Sequence, residues 1–140
     1  MKILTIIERS RPGLLAEVTT LLESRQVNVD HVSGETVNDQ AVIMLRAQPY
    51  ERGYQALVDA GFTVLASEQL LVRIHDHPGA LADLSRRLAN AEVDIRSIHF
   101  LNRDQAQCIV AVEAADPERA AEVLRDQLVI SEDQNLETRR

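Results

Sequence analysis

A chain of 140 residues has room for one ordinary domain or two very small ones. Its net charge of −7 and sequence pI near 5.0 argue against a phosphate-backbone partner, which needs a basic face. Apolar residues make up 45% and charged residues 26%, as in a soluble globular protein, whereas aromatics are only 3%. The core must therefore be built from Leu, Ile, Val and Ala, and Lys2 is the only lysine beside many arginines.

The opening run Met1 to Ile7 is apolar but reaches Glu8-Arg9 too soon for a secretory leader. No window approaches the roughly 20 apolar residues of a membrane span, so a cytoplasmic protein is expected. Cys108 is alone, which excludes an intrachain disulfide and any paired-cysteine metal or redox motif. In Gln107-Cys108-Ile109-Val110 it reads as a small core residue on a strand.

The phrase Arg11-Pro12-Gly13-Leu14-Leu15-Ala16-Glu17-Val18 returns as His77-Pro78-Gly79-Ala80-Leu81-Ala82-Asp83-Leu84, at an offset of 78 − 12 = 66 residues. With no gap, Leu22 falls on Leu88, Val27 on Val93, Asn28 on Asp94, Val29 on Ile95 and Ile43 on Ile109. The chain is a duplication. Residues 1–67 form a first domain, 68–131 a second, and 132–140 a polar, mobile tail.

Each half carries the same elements in order. A strand opens it (Ile3 to Ile7, Leu70 to Ile74), with Leu4 and Ile6 matched by Leu70 and Val72 on one face. Pro-Gly then leads into a helix whose apolar positions are Leu14, Leu15, Val18, Leu21 and Leu22, or Leu81, Leu84 and Leu88. A second strand follows (Val27 to Ser33, Val93 to His99), then a turn at Asn38-Asp39-Gln40 or Asn102 to Gln105. A third strand runs Ala41 to Ala47, or Gln107 to Glu113. The second helix is expected over Tyr50 to Ala60, and over Glu118 to Leu128 with Asp116 as N-cap and Pro117 in the first turn. A fourth strand spans Phe62 to Ala66 after Gly61, and shrinks to a stretch around Val129-Ile130 in the second half.

The order βαββαβ is that of a ferredoxin-like domain, in the α+β class, with both helices on one face of a four-stranded antiparallel sheet. At about 65 residues each half buries only about 60% of its unfolded surface and is marginal alone. The stretch Ala41 to Leu45 is apolar on both faces, which calls for a neighbour on the far side of its sheet.

Both halves resemble the ACT domain family, small regulatory modules attached to many enzymes of amino-acid metabolism. The resemblance rests on the element order and on the loop pattern Asp/Asn-x-Pro-Gly-x-Leu. It is complete in Asp76-His77-Pro78-Gly79-Ala80-Leu81 and altered in Ser10-Arg11-Pro12-Gly13-Leu14-Leu15. The family's Asn-Ile pair near the start of the second strand is Asn28-Val29 in the first half and Asp94-Ile95 in the second.

The resemblance implies paired domains with a small ligand, an amino acid above all, where one Pro-Gly loop faces its partner's second strand. The better site would join Asp76 to Leu81 with Asn28 and Val29. The poorer would join Ser10 to Leu15 with Asp94 and Ile95. The chemistry is consistent: helix-start amides attract a carboxylate, Gly13 and Gly79 admit close approach, and Asp76 accepts hydrogen bonds from an ammonium group.

Competing chemistry is weaker. His75 and His77 flank Asp76 at alternate strand positions, but no third ligand has the right spacing; His99 and His31 lie on other strands. Ser10, Ser33, Ser85 and Ser97 lack a nucleophile elbow or base partner. Neither catalysis nor a cofactor or metal is expected. A ligand-free interaction module remains open, with Arg86-Arg87, Arg125 and Arg139-Arg140 as contacts. So do a self-associating dimer and a sensor acting in trans on an enzyme or a transcriptional regulator. No helix-turn-helix or basic groove supports direct nucleic-acid binding.

Overall fold

The computed structural model describes residues 1–104 and 107–129, with the backbone alone for 102–104. The expected tail, Ile130 and part of the second hairpin turn lie outside the described residues. Two compact units emerge, Lys2–Ser67 and Met1 with the residues from Glu68 on.

In the first unit, β1 (Lys2–Arg9), β2 (Asn28–Val37), β3 (Gln40–Gln48) and β4 (Thr63–Glu68) form one sheet in the order β2-β3-β1-β4. This is the ferredoxin-like order. Leu4 pairs with Leu45 and Ile6 with Ile43, which puts four buried side chains on one face. Against them pack Leu14, Val18 and Leu22 of α1 (Leu14–Ser24), and Ala56 and Leu57 of α2 (Tyr50–Asp59). Burial of each Leu or Ile contributes about 1.5–3 kcal/mol. Helix α2 approaches β3 so closely that a Cβ on Gly53 would lie 2.6 Å from the Ala47 Cβ.

Strand β2 outruns its expected end by four residues. From Val32 to Val37 both faces are exposed, so no hydrophobic pattern marks the extension. Backbone pairing carries it instead, down to Val37 opposite Gln40. Asn38 turns the hairpin at φ 57, in the left-handed region that asparagine tolerates.

The second unit repeats the plan. β5 (Leu70–His75), β6 (Ile95–Asp104) and β7 (Gln107–Ala114) form a sheet in the order β5-β7-β6. Helix α3 (Ala80–Asn90) maps onto α1 residue for residue at the 66-residue offset. Val72, Ile74, Leu84, Leu88, Val110, Val112 and Ala120 form its core. Cys108 is buried opposite Ile74, the small core position its sequence context indicates.

Both α1 and α3 end on a residue in the left-handed region, Gln26 at φ 57 and Glu92 at φ 59. Beyond them Val27 N–H donates to Leu22 O and Val93 N–H to Leu88 O, each at 2.9 Å, closing the last turn and dropping a valine into the core. Glycine is the usual residue for this stop, so its absence hid both ends in the sequence.

Helix α4 (Pro117–Val123) starts as expected, with the Asp116 carboxylate accepting from Arg119 N–H at 3.1 Å. It stops five residues early, and Arg125–Gln127 form a 3-10 turn. The cause is Arg87, whose guanidinium donates to Val123 O at 2.6 Å, to the Asp126 carboxylate at 2.8 Å and to Gln127 Oε1. A cation that caps the last carbonyl and gathers the next residues ends a helix. Leu21 holds the equivalent position in the first unit and packs on its core. Of the expected fourth strand, the described residues show one bridge, Leu128 with Val72, and Val129 N–H donating to Leu71 O at 2.8 Å.

Two outcomes follow. Replacing Gln26 or Glu92 with Gly relieves a strained φ and should raise unfolding free energy in urea by up to about 1 kcal/mol, whereas Gly at exposed helical Arg86 should lower it by a similar amount. The hydrogen bond from Arg87 holds the Asp126 carboxyl below the ordinary carboxylate range. A lowered folded value means the pair contributes fully above that range and is lost as pH falls through the folded value. A carboxyl-carbon NMR titration should show this depression, and Arg87→Leu should abolish it while exposing the amides of Arg125–Gln127 to hydrogen exchange.

Candidate functional site

Each unit turns from its first strand into its first helix through a left-handed glycine, Gly13 at φ 84 and Gly79 at φ 95. A Cβ on either would meet nothing within 4 Å, so backbone conformation and not crowding selects glycine. The space over each helix start is open. Neither helix has a side-chain cap, and the loops are closed by Leu14 N–H to Arg11 O at 3.4 Å and Ala80 N–H to His77 O at 3.1 Å. Uncapped first-turn amides under an open approach form an anion-attracting concavity.

The side chains around the two turns differ. In the first loop, Ser10 N–H donates to Asp39 O at 2.7 Å and Ser10 Oγ lies 3.3 Å from Thr36 Oγ1. Arg11 pairs with Glu17 of the first helical turn. That loop spends its polar groups on its own unit. In the second loop the Asp76 side chain is exposed and makes no hydrogen bond or ion pair among the described residues. His77 is turned back, with Nδ1 2.9 Å from Pro78 O.

Pro12 and Pro78 are exposed on the rims. Leu14 and Ala80 lie in the two cores and support the turns from beneath. Leu15 and Leu81, equivalent at the 66-residue offset, are 49% and 38% exposed, although helical spacing had placed both on the buried stripe. The true stripe is Leu14-Val18-Leu22 and Ala80-Leu84-Leu88. An apolar side chain therefore borders each anion-attracting helix start.

On the second strands, Asn28 is exposed opposite Gln48, and Val29 is half-buried on the first core. Asp94 is exposed, its carbonyl accepting from Ala115 N–H at 2.9 Å, and Ile95 packs on the second core. A bulge follows at the same place in both halves, Val29/His31 and Ile95/Ser97. Bulges re-aim side chains and interrupt ladders, and this matched pair had no sequence signal. The Arg11–Glu17 pair and the Ser10–Thr36 contact were also missed, because each partner alone reads as a solvated residue.

His75 and His77 are exposed beside Asp76, and no group of three or more His, Cys, Asp or Glu able to hold a metal occurs among the described residues. Among those residues no helix is long and apolar enough to cross a membrane. An open cavity of about 630 Å³ runs along the edge of β5, lined by Arg73, His75, Gln107 and Asp126 to Val129, where the first unit has β4.

Comparison with known proteins supplies the family. The ACT domain pair family matches residues 1–139. A solved structure of protein BT0572 from Bacteroides thetaiotaomicron superposes with a TM-score of 0.80 at 23% identity, covering 95% of this chain and 94% of that one. The ligand-free regulatory subunit of aspartate kinase from Thermus thermophilus superposes at 0.60 with 18% identity, covering 89% and 87%. That from Thermus flavus gives 0.61 with 17% identity, covering 89% and 90%. No curated protein matches the chain. At these identities the structures speak for the fold, and the match along 1–139 speaks for the family: the chain belongs to the ACT domain pairs.

Proposed function

We propose that this ACT pair is a non-catalytic, cytoplasmic regulatory sensor that binds an amino acid at its Pro-Gly turns. The observation that carries the reading is the Asp76 carboxylate, exposed and without a partner among the described residues, beside a glycine-opened, uncapped helix start. A carboxylate next to free helix-start amides suits a zwitterion, whose ammonium meets Asp76 and whose carboxylate meets the amides of α3. The exposed Leu81 gives the ligand's side chain an apolar neighbour.

The stronger turn is that of Asp76, His77, Pro78, Gly79 and Leu81. The weaker is that of Ser10, Arg11, Gly13 and Leu15. The internal bonding of Ser10 and Arg11 supports that ranking, since a ligand there must first displace partners already made. The chain self-associates and transmits ligand occupancy in trans to a regulated enzyme or regulator.

A second reading, a protein-interaction module without a small ligand, draws on the exposed Leu15 and Leu81, which suit a protein surface as well as a ligand.

A thermal-shift screen of the twenty amino acids should find at least one that raises the melting temperature by several degrees at saturation. Titration calorimetry with that ligand should show at least about a tenfold affinity loss for Asp76→Ala and less than about a threefold loss for Ser10→Ala. Equal losses overturn the ranking of the sites. No shift at millimolar concentrations overturns sensing and leaves the interaction reading.

A further inference from the structure

The cavity of about 630 Å³ beside β5 belongs wholly to the second unit. Along β5 the side chains alternate. Val72 and Ile74 are buried in the core, while Arg73 and His75 are exposed and line the opening. At the 66-residue offset the first unit has half-buried Ile7 where the second has Arg73. Folding therefore places no demand for a cation there, and the Arg73 side chain makes no hydrogen bond or ion pair among the described residues.

The acceptors on the facing rim are already used. Arg87 donates to the Asp126 carboxylate at 2.8 Å and to Gln127 Oε1. What is left around the cavity is a set of donors. The Arg73 guanidinium and a ring N–H of His75 come from β5, and the Gln107 amide stands directly opposite His75 on β7. From the other side comes Gln127 Nε2, which reaches Arg73 O only at 3.5 Å.

We propose that this cavity binds the phosphate group of a small phosphorylated organic molecule. Donors arriving from two sides match a tetrahedral oxyanion with three or more acceptor oxygens better than a planar carboxylate with two. Leu128, Val129 and Ile74 add apolar wall for the body of the molecule, and the volume lies in the range of small-molecule sites. The net charge of −7 repels anions at long range, so binding must come from these local donors. No residue of the turn from Asp76 to Gly79 lines the cavity, and the proposal stands apart from the amino-acid reading.

The test is an amide NMR titration of the full chain at one pH and ionic strength. Inorganic phosphate should shift Arg73, His75 and Gln127 saturably with a Kd at or below about 10 mM, and acetate should bind at least about fivefold more weakly. Phenyl phosphate, whose ring reaches the apolar wall, should bind at least about threefold more tightly than inorganic phosphate. Arg73→Ile, the residue of the first half, should raise the phenyl phosphate Kd at least about tenfold, and Arg73→Lys should recover part of that loss. Arg86→Gln removes an equal charge from exposed α3 outside the cavity and should change the Kd less than about twofold. An unchanged circular dichroism melt shows that Arg73→Ile leaves the fold intact, and Arg73→Lys keeps the comparison valid if it does not. Shifts that do not saturate, acetate binding as tightly as phosphate, no gain from the phenyl ring, or equal losses in Arg73→Ile and Arg86→Gln overturn the proposal, whichever way the amino-acid screen turns out.

Discussion

One backbone angle organises each half of this protein. A chain leaving a buried strand must reverse and lay a helix back over the same face, and here the reversal passes through φ near +90° at Gly13 and Gly79. An L-residue with a Cβ would carry strain of about 1–2 kcal/mol there. With glycine in place, Leu14 or Ala80 drops straight into the core, and the helix axis is set by Val18 and Leu22 or Leu84 and Leu88. The same residue leaves the first turn uncapped and the approach to its amides open. The scaffold and the candidate site therefore share one requirement.

From that common frame the halves have diverged in what their polar groups do. The first turn binds itself to the hairpin through Ser10 and braces its helix through Arg11 and Glu17. The second turn leaves Asp76 without a partner among the described residues, while its own half gains a brace elsewhere through Arg87. Arg87 in place of the leucine of the first half exchanges apolar packing for a three-way polar clamp and shortens α4. Duplication gave two equal frameworks. Placement of a few charges made them unequal.

The periodic parts of this architecture could be read directly from residues. Strands β1 and β5 alternate because one face is buried, and α1 and α3 repeat at a fixed offset with their apolar positions in phase. What escaped was whatever depends on partners distant in the chain or on a backbone with no pattern. The end of α4 is decided by Arg87, 36 residues before the carbonyl it caps. The last four residues of β2 bury nothing, so alternation has nothing to report. Leu15 and Leu81 were placed on the stripe because an apolar residue beside Leu14 or Ala80 fits a wide helical arc. The packing uses the narrower i, i+4, i+8 row and leaves them out. In the candidate site the glycines, Asp76 and Asn28 were legible as a motif, whereas the internal bonding that separates one loop from the other was not.

The matched bulges at Val29/His31 and Ile95/Ser97 tie these themes together. A bulge costs ladder hydrogen bonds, so its survival at the same position in two diverged halves needs a reason other than sheet stability. In both copies it divides the second strand in two. Before it lie the residues that open the strand, one exposed and polar and the next packed on the core, Asn28 and Val29 or Asp94 and Ile95. Beyond it, in β2, run the residues Val32 to Val37, all of them exposed. The bulge thus separates the polar start of the strand from its exposed outer length.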